Sequence, residues 1–304
     1  MKLASLYYGS LRRSGVLALA RRVRRGGVIL CYHNVVPDAV APGAPAGGLH
    51  LSRAKFERQI RWLASAYSVV PLSELVDRLE RGRSLRGVAA LTFDDGYAGV
   101  FACAWPLLRD LGIPSTVFVV SGSPDRDDAF WWDHPAVVAT AADDRRTFWL
   151  TALRGDRDAI LASVGAPPEP PAPPAADACR PANWRMIADA AREGLTIGAH
   201  SATHRSLPHL DARELDDEVI ASRATLRAKL HVEPAFFAYP YGAWDDRVRR
   251  AVRAAGYRAA LTLDPGANTS ATDRWALRRI NVPAGIEDAA FEAWTGGFAP
   301  RRAR

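Results

Sequence analysis

The sequence predicts an α/β fold, a single parallel barrel that stops short of a full circle. Short apolar runs of strand length alternate with segments of helical period, the pattern that builds a parallel sheet with helices outside it. Seven such runs occur, and acidic and imidazole side chains stand directly after two of them. Composition agrees: 304 residues with 48% hydrophobic and 24% charged side chains exclude a disordered, collagen-like or coiled-coil chain.

The expected strands are VILCYH (28–33), VAALTF (88–93), STVFVVS (115–121), LTIGAHS (195–201), PAFFAYP (234–240), YRAALTL (257–263) and WALRRINV (275–282). Between them, helical period is expected over 53–66, 72–79, 98–111, 184–193, 211–230, 244–255 and 287–294, with Ser52 and Asp211 placed as N-caps. Residues 124–182 break the alternation with an aromatic cluster, a helical stretch and APPEPPAPPAA at 166–176. Six prolines make that stretch a stiff, extended loop. The segment is expected as an insertion after the third strand, flanking or covering the site. The main domain is thus expected over 28–298, between an N-terminal arm at 1–27 and a basic tail at 299–304.

Charge is concentrated in the arm. Seven of the 40 basic residues and no acid fall within residues 1–27, leaving 33 basic against 33 acidic residues elsewhere. A neutral body excludes a nucleic-acid-binding domain and directs attention to an anionic surface as the arm's partner. Leu3, Leu6, Tyr7, Leu11, Val16, Leu17 and Leu19 among the arginines suit a helix lying in a membrane interface, or one packed on the body. The longest apolar stretch, VLALA, is short for a secretory signal, so a cytoplasmic or inner-membrane-face location is expected. Cys31, Cys103 and Cys179 are too few and too scattered for a disulfide framework and are expected to be inert.

LTFDDGY places Asp94 and Asp95 where an apolar strand stops and Gly96 permits a sharp turn. Adjacent carboxylates at a core edge repel unless they share a cation or proton, which points to a metal ligand beside a base. GAHSATHRS places His200 and His204 four residues apart beyond another strand. With Asp95 they form a two-histidine, one-carboxylate face suited to zinc or another divalent ion. In a parallel barrel both strand ends open on the same carboxyl face.

These motifs resemble the polysaccharide deacetylases with the NodB homology domain, carbohydrate esterase family 4. LTFDDGY, HSATH and YPYG (239–242) occur in the family's order, and ILCYHNV with FAYPYG is similar to the subgroup acting on exopolysaccharides and poly-N-acetylglucosamine. The resemblance implies a distorted, incomplete (β/α)7 barrel, an N-acetylated polysaccharide or glycan precursor as substrate, and a divalent ion, zinc first, with cobalt, nickel or iron as alternatives. It implies Asp94 as general base, Asp95, His200 and His204 as metal ligands, and the backbone N–H of Tyr241 beside the oxyanion. Tyr239, Pro240, Tyr241 and Trp132 are the expected sugar contacts, with packing at the barrel mouth the alternative for Tyr239.

Two departures from the family's pattern shape further expectations. Ala238 stands where the family has an arginine orienting the base, and Arg279, with Arg278 on the opposite face by the period of two, is the expected replacement. Asp264 stands near the place of the family's late histidine, which leaves His33, after the first strand, as the expected proton donor or polar contact. The competing functions are a catalytically silent carbohydrate-binding domain and an amidohydrolase acting on a non-sugar amide. His50, His134, His209 and His231 lack ligand spacing and are expected to be structural or solvated.

Overall fold

All seven predicted runs form strands, and every pairing among them is parallel. The computed structural model describes residues 2–41, 48–126, 128–166 and 177–300. Its strands are β1 (Val28–Tyr32), β2 (Asn34–Val36), β3 (His50–Ser52), β4 (Ser68–Val69), β5 (Val88–Phe93), β6 (Thr116–Val119), β7 (Thr196–Ala199), β8 (Phe236–Ala238), β9 (Ala259–Leu261) and β10 (Ile280–Asn281). The main sheet runs β10-β1-β5-β6-β7-β8-β9, with β4 also on β5, while β2 and β3 pair apart from it. The path curves into a distorted, incomplete barrel. An isolated parallel bridge joins Leu261 of β9 to Leu277, three residues before β10.

Residue alternation sorts the strands into two layers. On β8, Phe236 and Ala238 join Ile29, Phe118 and Leu261 in the barrel interior. Phe237 and Tyr239 point the other way, into the layer shared with the outer helices.

The helices are α1 (Lys2–Arg13), α2 (Val16–Val23), α3 (Arg53–Ala66), α4 (Leu72–Glu80), α5 (Trp105–Asp110), α6 (Pro135–Thr140), α7 (Asp143–Thr151), α8 (Arg157–Ser163), α9 (Trp184–Arg192), α10 (Ala212–Leu230), α11 (Asp246–Ala254) and α12 (Asp288–Ala293). Ser52 accepts from the Lys55 N–H, and Asp211 forms a reciprocal capping box with Glu214. The helix expected at 98–111 opens with a π-helical turn, Val100–Ala104, before α5.

The insertion carries α6, α7 and α8 around a small core of Trp131, Val137, Trp149 and Ile160. That core abuts Tyr241 and Trp132, so the insertion flanks the barrel mouth. The proline-rich stretch at 167–176 and the tail at 301–304 lie outside the described residues.

The arm is docked on the body. Leu17 is buried, Arg12 pairs with Glu292 at 3.0 Å, Trp294 donates to the Tyr8 hydroxyl, and Arg24 donates to the Thr295 carbonyl at 2.8 Å. No described helix is long and apolar enough to cross a membrane.

Candidate active site and metal centre

Because all strands run the same way, the segments after β1, β5, β7, β8 and β9, together with the end of β10, converge on one mouth. His33, Asp94, Asp95, His200, His204, Tyr241, Leu263 and Asn281 line a single cavity of about 490 Å³ there. Its roof comes from the insertion: Trp131, Trp132, Val137, Val138, Arg146 and Trp149.

Four of the seven described non-glycine residues with positive φ lie at or beside this mouth. Asp95 (φ 71°), Ser201 (φ 62°), His204 (φ 63°) and Tyr241 (φ 60°) are left-handed without being glycine. Such conformations cost of order 1–3 kcal/mol each and persist only where the surroundings hold them. The surroundings are visible. Ser201 Oγ accepts from the His204 N–H at 2.9 Å, and the buried Glu218 of α10 accepts from the N–H groups of Ala202 and Thr203 at 3.0 and 2.9 Å and from the Thr203 hydroxyl.

Asp95 Oδ1 lies 3.5 Å from His200 Nε2 and 3.4 Å from His204 Nε2, and the two Nε2 atoms are 3.2 Å apart. Ligands about 2.1 Å from one ion at tetrahedral angles stand roughly 3.4 Å apart, so the three atoms fit a common cation. The tautomer of His200 supports the fit. Its Nδ1 lies 2.8 Å from the Ala238 carbonyl, which only accepts, so Nδ1 carries a proton and Nε2 is the nitrogen turned toward Asp95 and His204. Burial and the neighbouring His200 push His204 down to about 3, which keeps it neutral. Burial alone would lower His200 as well, but the charges of Asp94 and Asp95 outweigh it and raise its pKa.

Asp94 has a different environment. Arg279 grips it with Nη1 to Oδ1 at 2.6 Å and Nη2 to Oδ2 at 2.7 Å, while Arg279 Nε donates to the Thr262 carbonyl at 2.8 Å. Both side chains are buried, and Arg278 is exposed. Burial would raise the Asp94 pKa, but the Arg279 charge outweighs it and holds the carboxyl well below the ordinary range. The Cys31 thiol, raised by burial and so protonated, donates to Oδ2 at 3.3 Å.

Sequence reasoning missed a second buried network. Asp133 accepts from the Tyr97 hydroxyl at 2.6 Å and pairs with His50 Nε2 at 3.1 Å. Trp132 Nε1 donates to the same Tyr97 hydroxyl at 2.7 Å, and its ring packs 4.5 Å from that of His204. Burial would lower the His50 pKa, but the hydrogen bond to Asp133 outweighs it and raises it to about 9. Tyr97 is the last letter of LTFDDGY, and its conspicuous position was the available signal.

Residues 81–260 match the polysaccharide deacetylase family. The chain belongs to that family. As a deacetylase it is a hydrolase in class. It is 20% identical over 268 residues to YxkH of Bacillus subtilis (strain 168), a protein provisionally named a polysaccharide deacetylase, covering 88% of this chain and 75% of that one. The Streptococcus pyogenes deacetylase PplD superposes with a TM-score of 0.63 at 17% identity, over 90% of this chain and 99% of that one. IcaB from Ammonifex degensii gives 0.63 at 21% identity, over 90% and 98%. These likenesses bear on the fold, which is that of the deacetylase barrel.

Of the expected substrate contacts, the deacetylase places Trp132 and Tyr241 on the cavity. Tyr241 donates its hydroxyl to the His204 carbonyl at 2.9 Å, and its ring lies 4.5 Å from the His204 ring. Tyr239 requires a correction: it is fully buried on the helix-facing side of β8, donates to the Trp275 carbonyl at 2.8 Å and stacks near Trp244. Pro240 is also buried, starting the turn Pro240–Gly242, and does not line the cavity. His33 does line it, with a ring nitrogen within 4.8 Å of the nearest Asp94 oxygen, whereas Leu263 rather than Asp264 lines it from the segment after β9. His50, expected to be structural or solvated, is buried in the Asp133 network.

Proposed function

We propose that this deacetylase is a metal-dependent hydrolase that removes acetyl groups, N-linked in the first instance, from an amino-sugar polysaccharide or its lipid-linked precursor. One observation carries the reading: three buried donor atoms from Asp95, His200 and His204 converge beside a carboxylate that a buried arginine keeps ionised. The donor set suits zinc first, and cobalt, nickel or iron as well. A divalent ion held there supplies Lewis acidity, activating a water and polarising the acyl oxygen.

The remaining roles belong to the chain. Asp94 accepts the proton of the attacking water; its two oxygens keep acceptor capacity beyond the Arg279 contacts, since a carboxylate offers about four lone-pair sites. Arg279 is a positioning residue that fixes both oxygens. It supplies from the residue before β10 what Ala238 cannot, and this removes one motive for reading the domain as a silent binder. The proton taken by Asp94 leaves toward the amine through His33. The Tyr241 N–H, presented by the turn after β8, faces the developing oxyanion. Trp132 and Tyr241, on either side of His204, offer apolar faces to a pyranose ring. We assign this chemistry to a domain spanning 28–298, with the arm at 1–27 and the tail at 299–304 as appendages.

The test is acetate release from N-acetylglucosamine oligomers, with elemental analysis of the same preparation. Release that disappears with a chelator, returns with zinc and is abolished by Asp94→Asn is the expected result. Release indifferent to chelation overturns the metal, and hydrolysis confined to simple amides overturns the glycan. If His33→Ala keeps full turnover while Asp94→Asn has none, the proton path through His33 is wrong.

A further inference from the structure

The N-terminal arm has a second face that the fold leaves uncovered. Leu17 of α2 is buried, Arg21 lies over the Trp62 ring and Arg24 reaches the Thr295 carbonyl. These residues, spaced i, i+4 and i+7, pin one side of the helix to the body. Val16, Leu19 and Val23, spaced i, i+3 and i+7, form a different side and are 41%, 62% and 64% exposed. On α1, Tyr8 and Arg12 are engaged with Trp294 and Glu292, while Leu6 and Tyr7 are 63% and 54% exposed. Five of the seven large exposed hydrophobic residues described therefore fall within 18 positions of this arm.

Charge selects the occupant. Arg13, Arg22 and Arg25 are exposed and make no ion pair among the described residues, and the first 27 residues contain no acid. An apolar stripe rimmed by unneutralised guanidinium groups complements a surface that is apolar below and anionic above. It is a poor match for another copy of the same basic stripe, because like charges would meet.

We propose that the outer face of α1 and α2 docks this protein on an anionic lipid bilayer, lying in the interface without crossing it. The apolar side chains enter the acyl boundary while the outer arginines meet lipid phosphates, and the inner face keeps the domain attached throughout. Helix docking and membrane docking thus use different sides of the same helices. The inference is independent of the proposed chemistry, since its readout involves no hydrolysis.

The experiment is flotation of the full-length protein with vesicles made of equal parts phosphatidylcholine and phosphatidylglycerol, beside vesicles of phosphatidylcholine alone. Selective binding to the anionic vesicles is expected, weakening as salt is raised. The double variant Leu19→Asp/Val23→Asp and the charge variant Arg13→Glu/Arg22→Glu should each reduce binding by about tenfold or more with an unchanged thermal midpoint. Failure of the native protein to float, or flotation of either variant as strong as that of the native protein, overturns the proposal. So does a concentration-dependent dimer in sedimentation that the Leu19→Asp/Val23→Asp variant abolishes, because the face would then be a self-interface.

Discussion

Two buried carboxylates sit near the same cavity and are neutralised in opposite ways. Asp94 is held by Arg279 through two contacts of 2.6 and 2.7 Å, whereas Asp133 is held by His50 at 3.1 Å and by the Tyr97 hydroxyl at 2.6 Å. A guanidinium stays charged at every working pH, while an imidazole can lose its charge. The permanent partner stands where the carboxylate must remain ionised to accept a proton. The titratable one stands where the carboxylate organises structure, tying β3, the turn after β5 and Trp132 of the insertion together.

The largest expected effect follows from breaking the first pair. Arg279→Met leaves a buried carboxylate uncompensated, and urea unfolding should show a loss of about 3–5 kcal/mol with acetate release gone. Arg279→Lys keeps a charge but not the two-pronged grip, so it should recover part of the stability and little of the activity. A stability change in Arg279→Met below about 1 kcal/mol would mean that the pair is not what keeps Asp94 ionised.

Asp133→Asn should cost less, about 1–3 kcal/mol, because a neutral amide still offers an oxygen to Tyr97 or His50. Its kinetic signature separates positioning from general damage. KM should rise more than kcat falls, as Trp132 loses its register over His204 while Asp94 is untouched. Equal losses in both would assign Asp133 to structure alone.

Titration sharpens the contrast further. His50 has a folded pKa of about 9, above its ordinary 6.5, so its contribution is complete below about pH 6.5 and disappears as pH rises through about 9. Asp94 is shifted downward, so its contribution is present above the ordinary carboxylate pKa and is lost only as pH falls into acid. Urea midpoints measured from pH 7 to 10 should decline in the native protein and decline less in His50→Gln. The smallest effect is expected for Tyr239→Phe, which loses the bond to the Trp275 carbonyl and about 1 kcal/mol, with KM unchanged.

What could be foreseen divides along the same line. Asp94, Asp95, His200 and His204 were legible because neighbours in sequence sit at strand ends, and a parallel sheet sends those ends to one place. The period of two put Arg279 and Arg278 on opposite faces without choosing between them; the buried contacts to Asp94 belong to Arg279, and Arg278 is exposed. Tyr239 follows the packing alternative for a local reason: the strand ends at Ala238 and the chain turns through Tyr241 at φ 60°, so the two tyrosines part company. Asp133 and His50 were illegible, being 83 residues apart with no shared periodicity. The short strands β2, β3 and β4 were missed as well, since two or three residues make no apolar run.

The bridge between Leu261 of β9 and Leu277, in the segment that leads into β10, lies two residues before Arg279. Arg279 crosses that junction, donating its Nε to Thr262 on one edge while its outer nitrogens reach Asp94. One side chain therefore serves as both the stitch of the barrel wall and the counter-charge of the base. Slow amide exchange at Thr262 and Leu277 would report on the integrity of the reaction centre, although neither residue touches the substrate cavity, and a loosened wall would register as lost turnover before any helix had to melt.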